Sequence, residues 1–329
     1  MEKDNNKEVK NPANFLSEFE KKVDELIKKR FLSPKEIVIL NEFRQTLLES
    51  GLYGHERYNH DGMEMIDCLT SNGDLPPFPT ENSDTTIFEL IPESLKANKT
   101  FNHVIKRLFQ VKGKGRGAGE LALILLFSNT IFSSVDDLLI RDLDDNNEIK
   151  IKKGEVKSGS GACFSPVIKE GNKHRVGDNA LEKWFGGLNP LSSKKNEHDD
   201  CFAGMTTDEV KTKFKGFFDD LYPEKICTDF TDNIRLRWAT HMAGNMHDVE
   251  YCKEYLGIEL LRIYVKNKGI ASIILPDEDN RLVFISNFED KRFLSNTLKF
   301  NPVFSRGGDT NAVADGYVKI YLKKKSSNK

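Results

Sequence analysis

Residues 113–161 read GKGRGAGELALILLFSNTIFSSVDDLLIRDLDDNNEIKIKKGEVKSGSG, and this stretch decides the fold. Glu120 heads the segment ELALILLF, which is too apolar all round for a surface helix and reads as a buried one. The charge stands in the first turn, where the helix dipole favours an anion. A carboxylate entering a core still needs a partner. Asp137 then opens a short apolar run, residues 142–147 (DLDDNN) have the Asp/Asn density of a hairpin connection, and Glu155-Val156-Lys157 lies beyond it. The stretch predicts a helix followed by a hairpin, with an acid on each of the three elements and a lysine beside the last.

Those residue types in that order suit phosphodiester hydrolysis. The reaction needs a nucleophilic water and a stabilised anionic transition state, and a divalent metal supplies both. Mg²⁺ takes hard oxygen ligands, usually one or two carboxylates, and keeps water and substrate phosphate as the others. Asp137 and Glu155 are the candidate carboxylates if their strands pair side by side. Side chains alternate along a strand, so Glu155 and Lys157 share a face while Val156 points away, which makes the Val156 carbonyl a further candidate ligand. Lys157 is a compact point charge suited to orient the water or offset developing negative charge. The plainer alternative makes Glu155 and Lys157 an exposed charge pair and Glu120 a first-turn helix acid. Ile149 and Ile151 share the parity of Glu155, so either the sheet buries both faces there or Gly154 marks a bulge; the bulge is the expectation.

This constellation resembles the PD-(D/E)XK nuclease superfamily, the fold of many restriction enzymes and of recombination and phage nucleases. Its usual core is a helix carrying a glutamate, then a hairpin whose first strand bears the aspartate and whose second bears (D/E)-x-K. On this chain Glu120 matches the helix glutamate, Asp137 the aspartate, Glu155 the second acid and Lys157 the lysine. No proline precedes the aspartate: Val135-Asp136-Asp137 stands there, and Asp136 rivals Asp137 for the role. The resemblance spans residues 101–166, under a quarter of the chain. A glycine-rich lead-in to a Glu-headed apolar helix is most similar to phage-encoded members. The resemblance implies an α/β (α+β) protein with a restriction-endonuclease-like mixed central sheet flanked by helices. It implies Mg²⁺- or Mn²⁺-dependent cleavage of DNA, endonuclease before exonuclease, at Glu120, Asp137, Glu155 and Lys157. The other function class is a phage structural or nucleic-acid-binding protein that keeps the fold without turnover.

Gly113, Gly115, Gly117 and Gly119 alternate with Lys114 and Arg116 just before the helix. A helix N-terminus binds anions, but the P-loop pattern and the dinucleotide fingerprint are both absent. A basic loop touching a nucleic-acid backbone suits these residues better, and a plain flexible loop suits them equally. Lys114, Arg116 and, on the second strand, Lys153 are the candidate phosphate contacts.

Beyond this stretch, the 329 residues carry a net charge of −2 with 30% charged and 38% hydrophobic residues, an ordinary soluble composition and not that of a protein that coats DNA. No run reaches the ~18 apolar residues of a membrane span, and the polar N-terminus lacks the apolar core of a signal peptide. Five cysteines without CxxC spacing fit reduced thiols. The expected location is cytoplasmic, in a host cell or, for a phage protein, the virion, with DNA as partner and a homodimer or virion contacts left open. Three regions are predicted: a helical N-terminal region and linker at 1–85, a nuclease-like core at 86–200, and an α+β region at 201–329. Helices are expected at 14–30, 34–51, 207–221 and 232–255, and strands at 260–265, 270–275, 282–285 and 317–322. Arg235, Arg237, Trp238 and His241 read as a surface helix pattern, with a DNA-contacting face as the alternative.

Overall fold

A computed structural model describes residues 76–91, 93–96, 119–120, 123, 126–127, 129–131, 137–143, 148–166, 180–223, 229–277, 280–304 and 316–324. The helices expected at 14–30 and 34–51, residues 113–118 of the glycine run with Lys114 and Arg116, and Asp136 lie outside these residues. The first elements are β1 (Ser83–Thr86), α1 (Ile87–Leu90), α2 (Glu93–Lys96), β2 (Thr130–Ile131), β3 (Leu138–Leu143), β4 (Ile149–Val156) and β5 (Ser160–Phe164). Then come α3 (Ala180–Phe185), α4 (Lys195–Phe202), α5 (Thr207–Leu221), α6 (Asp232–Asn245) and α7 (Val249–Lys268). The chain continues through β6 (Ile270–Pro276), β7 (Arg281–Ile285), α8 (Lys291–Thr297), β8 (Leu298–Val303) and β9 (Tyr317–Leu322). The protein is thus mixed α+β.

Two compact units divide it: Met1–Ser158 with Ser272–Ser286, and Gly159–Ala271 with Asn287–Lys329. The first unit is built on a mixed six-stranded sheet, ordered β1-β7-β6-β4-β3-β2. In β6 and β7 the side chains Ile273, Ile274, Leu275, Leu282, Val283, Phe284 and Ile285 are all fully buried, so these strands are covered on both faces and read as continuous apolar runs. Phe78, Phe127 and Phe284 meet edge-on with ring centroids 5.2, 5.4 and 5.8 Å apart and fill the core on one side. Arg281 of β7 reaches back to Asp84 of β1 through two hydrogen bonds of 2.9 and 2.8 Å, fixing that edge.

The β3–β4 hairpin is where the sequence expectation is corrected. The ladder runs without a break from Leu138↔Gly154 to Leu143↔Ile149, so Gly154 is no bulge. A Cβ on Gly154 would stand 2.7 Å from Leu138 Cδ1 and 2.9 Å from its Cγ, so glycine is needed for the close approach to a buried leucine. Nor does the sheet bury both faces there: Ile149 and Ile151 lie on the polar face at 69% and 49% exposure. Asn129 ties β3 in place, with its amide donating to Arg141 O at 2.9 Å and its Oδ1 accepting from Phe78 N at 2.7 Å.

In the second unit, β5-β9-β8 form a three-stranded antiparallel sheet. The strand expected at 260–265 is instead the interior of α7. That helix is buried almost all round from Leu256 to Val265, so the 3.6-residue period that would identify it is erased. Asp248 caps its start through Tyr251 N, and Gly269, at φ 64°, ends it in the left-handed conformation. The same cap splits the single helix expected at 232–255 into α6 and α7. Helix α5 and strand β9 fall where the sequence puts them, at Thr207–Leu221 and Tyr317–Leu322. Among the described residues no helix is long and apolar enough to cross a membrane.

Candidate active site

Hairpin geometry brings Asp137 and Glu155 together. Leu138 pairs with Gly154 at the last step of the ladder, and Asp137 and Glu155 adjoin that pair. The carboxylate of Asp137 bridges the strands, its Oδ2 accepting from Val156 N at 2.8 Å. Val156 is buried, and with it the alternation of the strand turns Glu155 and Lys157 to the other face. Beyond β4, Lys157 N donates to Ile274 O of β6 at 3.0 Å, which anchors the backbone where the lysine leaves the sheet.

The Lys157 ammonium lies among the acids, with Nζ 2.5 Å from Glu155 Oε1 and 3.6 Å from Asp137 Oδ2. Side-chain exposure is 34% for Lys157, 24% for Asp137 and 14% for Glu155, so the group opens to solvent on one side only. Glu120 is 3% exposed, on a helical turn entered through Gly119 at φ 92° and held to the core by Leu123 and Leu126. Burial pulls the Lys157 ammonium down, but the hydrogen bond to Glu155 and the charges of Glu155, Asp137 and Glu120 outweigh it and hold the lysine above its ordinary value. All four residues selected from the sequence thus act on one electrostatic centre.

Lys153 is exposed on β4, opposite Leu139 and one step along the same face from Glu155. The surface-helix reading of the C-terminal residues fits Arg237, whose side chain is 59% exposed, but not Trp238 or Arg235. Trp238 and Arg235 are core residues of the second unit: Trp238 is fully buried, and Arg235 bonds Asp219 at 2.8 Å and the carbonyls of Tyr222 and Phe230. Arg237 pairs with Glu259, and His241 stacks on Tyr255 with ring centroids 3.5 Å apart. The sequence reading missed that β6 stands beside the β3–β4 hairpin. The available signal was its unbroken apolar run, which marks a central strand and not an exposed meander.

The donor set fits a hard divalent cation in its chemistry: one carboxylate just before β3 and one on its partner β4, with the charge of a buried third acid acting on the same lysine. Here the cation that they hold is the ammonium of Lys157. Among the described residues no three or more His, Cys, Asp or Glu side chains are spaced to enclose a metal ion. Any such ion would therefore need ligands beyond these carboxylates. Comparison with known proteins gave no match: no family model, curated protein or solved structure is similar to this chain.

Proposed function

We propose that this protein is a metal-dependent DNA nuclease of the PD-(D/E)XK kind. The observation that carries the reading is the convergence of Asp137 and Glu155, from paired strands, on the single ammonium of Lys157, with Glu120 adding its charge from the core. Asp137 and Glu155 would hold Mg²⁺ or Mn²⁺, with the Val156 carbonyl as a further ligand. When bound, the metal supplies an activated water and charge neutralisation at the phosphate.

The chain's own residues do the rest. Lys157, kept protonated by its acidic neighbours, donates hydrogen bonds toward the attacking water or a non-bridging phosphate oxygen. Glu155 positions that ammonium through the 2.5 Å contact. Asp137 locks the two strands through Val156 N, so the carboxylates are held at fixed separation before substrate arrives. Glu120, almost wholly buried, adds its charge to the lysine and acts as a positioning residue. Lys153 adds a phosphate contact beside the site. The setting implied is a host cytoplasm or a virion, with endonucleolytic cleavage before exonucleolytic.

One observation favours a second reading. The 2.5 Å Lys157–Glu155 pair satisfies the carboxylate without metal, as in a binding or virion-structural protein that keeps the fold without turnover. Incubating plasmid and linear DNA with Mg²⁺ or Mn²⁺ separates the two. Metal-dependent cleavage by the wild type, lost in Glu155→Ala and Lys157→Ala that still fold by circular dichroism, is the expected result. No cleavage by folded wild type with either metal moves the protein to the second reading.

A further inference from the structure

The outward face of the β3–β4 hairpin continues beyond the carboxylates in a defined order. Residues directly opposite share a face, so Asp137 and Glu155 are followed by Lys153, then Arg141 opposite Ile151, then Ile149. At ~3.3 Å per residue, Ile151 is roughly 13 Å from Glu155 and Ile149 roughly 20 Å. Both isoleucines are exposed, at 49% and 69%, on the same strand face two residues apart. Large aliphatic side chains paired in this way on a solvent face mark a contact surface more often than scattered single ones do.

Charge identifies the occupant. Lys153 stands on this face between the acidic centre and the isoleucines, and Arg141 lies across the ladder from Ile151. The complementary ligand is polyanionic along one line and apolar beside it. The outside of a continuous DNA duplex does not offer this, since its apolar base faces are stacked against one another. They become available where bases are unpaired or unstacked, and β-branched aliphatic side chains, stiff at χ1, are suited to wedge between them.

We infer that this hairpin face is the docking track for the strand being cut, with Ile149 and Ile151 receiving unstacked bases. The preferred substrate class is therefore DNA with unpaired or easily unstacked nucleotides next to the scissile phosphate. This rests on the nuclease reading for its link to cleavage, but its test does not need turnover.

The full chain is titrated, without divalent metal, against a fluorescent blunt duplex and the same duplex with a central unpaired stretch carrying 2-aminopurine. The wild type should bind the interrupted duplex about tenfold more tightly and change the 2-aminopurine signal, since each unstacked step is one the protein need not open. Ile149→Ser with Ile151→Ser should erase the preference while leaving duplex affinity unchanged, and Ile149→Val with Ile151→Val should retain it. Both sites are exposed, so the melting temperature should be conserved. Equal wild-type affinity for the two DNAs, or a preference that survives the serine substitutions, overturns the inference. So does isoleucine-dependent binding to phosphatidylserine-containing vesicles without any DNA preference, which would reassign the face to a lipid surface. A preference without cleavage in Mg²⁺ sinks the nuclease reading alone; cleavage without a preference sinks the docking track alone.

Discussion

Lys157 is the residue on which the site turns, because it offsets the very acids that would take a metal. Its ammonium is held above the ordinary lysine value of 10.5 by Glu155, Asp137 and Glu120. A folded-state value raised above the unfolded one contributes stability that is fully present below about 10.5 and is lost as pH rises through the folded value. Lys157→Met should therefore melt below the wild type by a margin that is constant around neutral pH and shrinks in strong alkali. The same variant should lose cleavage yet gain more thermal stabilisation from Mg²⁺ than the wild type, since the competing cation is gone. Melting curves against pH and Mg²⁺ check both, and a smaller Mg²⁺ shift in the variant would count against a shared cation site. At this scale the sequence was informative where chemistry is local: it singled out Glu120, Asp137, Glu155 and Lys157, and the three acids all act on the lysine's charge. Trp238 and Arg235 were not, because a charged flank on an apolar pair reads as surface until Asp219 and two carbonyls are seen to enclose the guanidinium.

At the scale of elements, close packing of Leu138 on Gly154 fixes the register of the hairpin. Gly154 is occupied so closely by Leu138 that any side chain there must displace a fully buried leucine. Gly154→Ala should cost about 1–3 kcal/mol, the usual penalty of overpacking a core. Leu138→Val in the same chain should return part of that loss, giving a coupling of the kind expected for residues in contact. Denaturant unfolding of the two single variants and the double variant measures it; strictly additive losses would mean that the close approach does not limit the hairpin. The sequence placed this glycine as irregular and gave the wrong cause, since a bulge and a close approach both call for a missing side chain. Helix α5 was legible for the opposite reason: its Thr206–Glu209 capping box and buried Val210, Phe214, Phe217, Phe218 and Leu221 are local signals that agree. In α7 the apolar run was long enough for a strand, and only its caps betray a helix.

For the whole molecule, the first unit is discontinuous in sequence. Its site lies on β3 and β4, but the sheet is completed by β6 and β7 from Ser272–Ser286. Strand order across such a separation is a tertiary matter, which is why a nuclease-like core ending near residue 200 looked complete from sequence. The seven fully buried side chains of β6 and β7 are each worth roughly 1.5–3 kcal/mol, so together they rival the roughly 5–15 kcal/mol that holds a domain folded. A fragment of residues 1–200 should show no cooperative unfolding transition and no metal-dependent cleavage; a cooperative transition in it would contradict this assignment of the core. The most direct test of the central claim is the single-turnover rate of end-labelled DNA cleavage in Mg²⁺ for wild type, Asp137→Asn and Glu155→Gln. These substitutions keep shape and remove only charge, and metal contributes several kcal/mol to such a transition state, so each should slow cleavage by roughly a hundredfold or more. Wild-type rates in both variants, or no cleavage by the folded wild type, would contradict it.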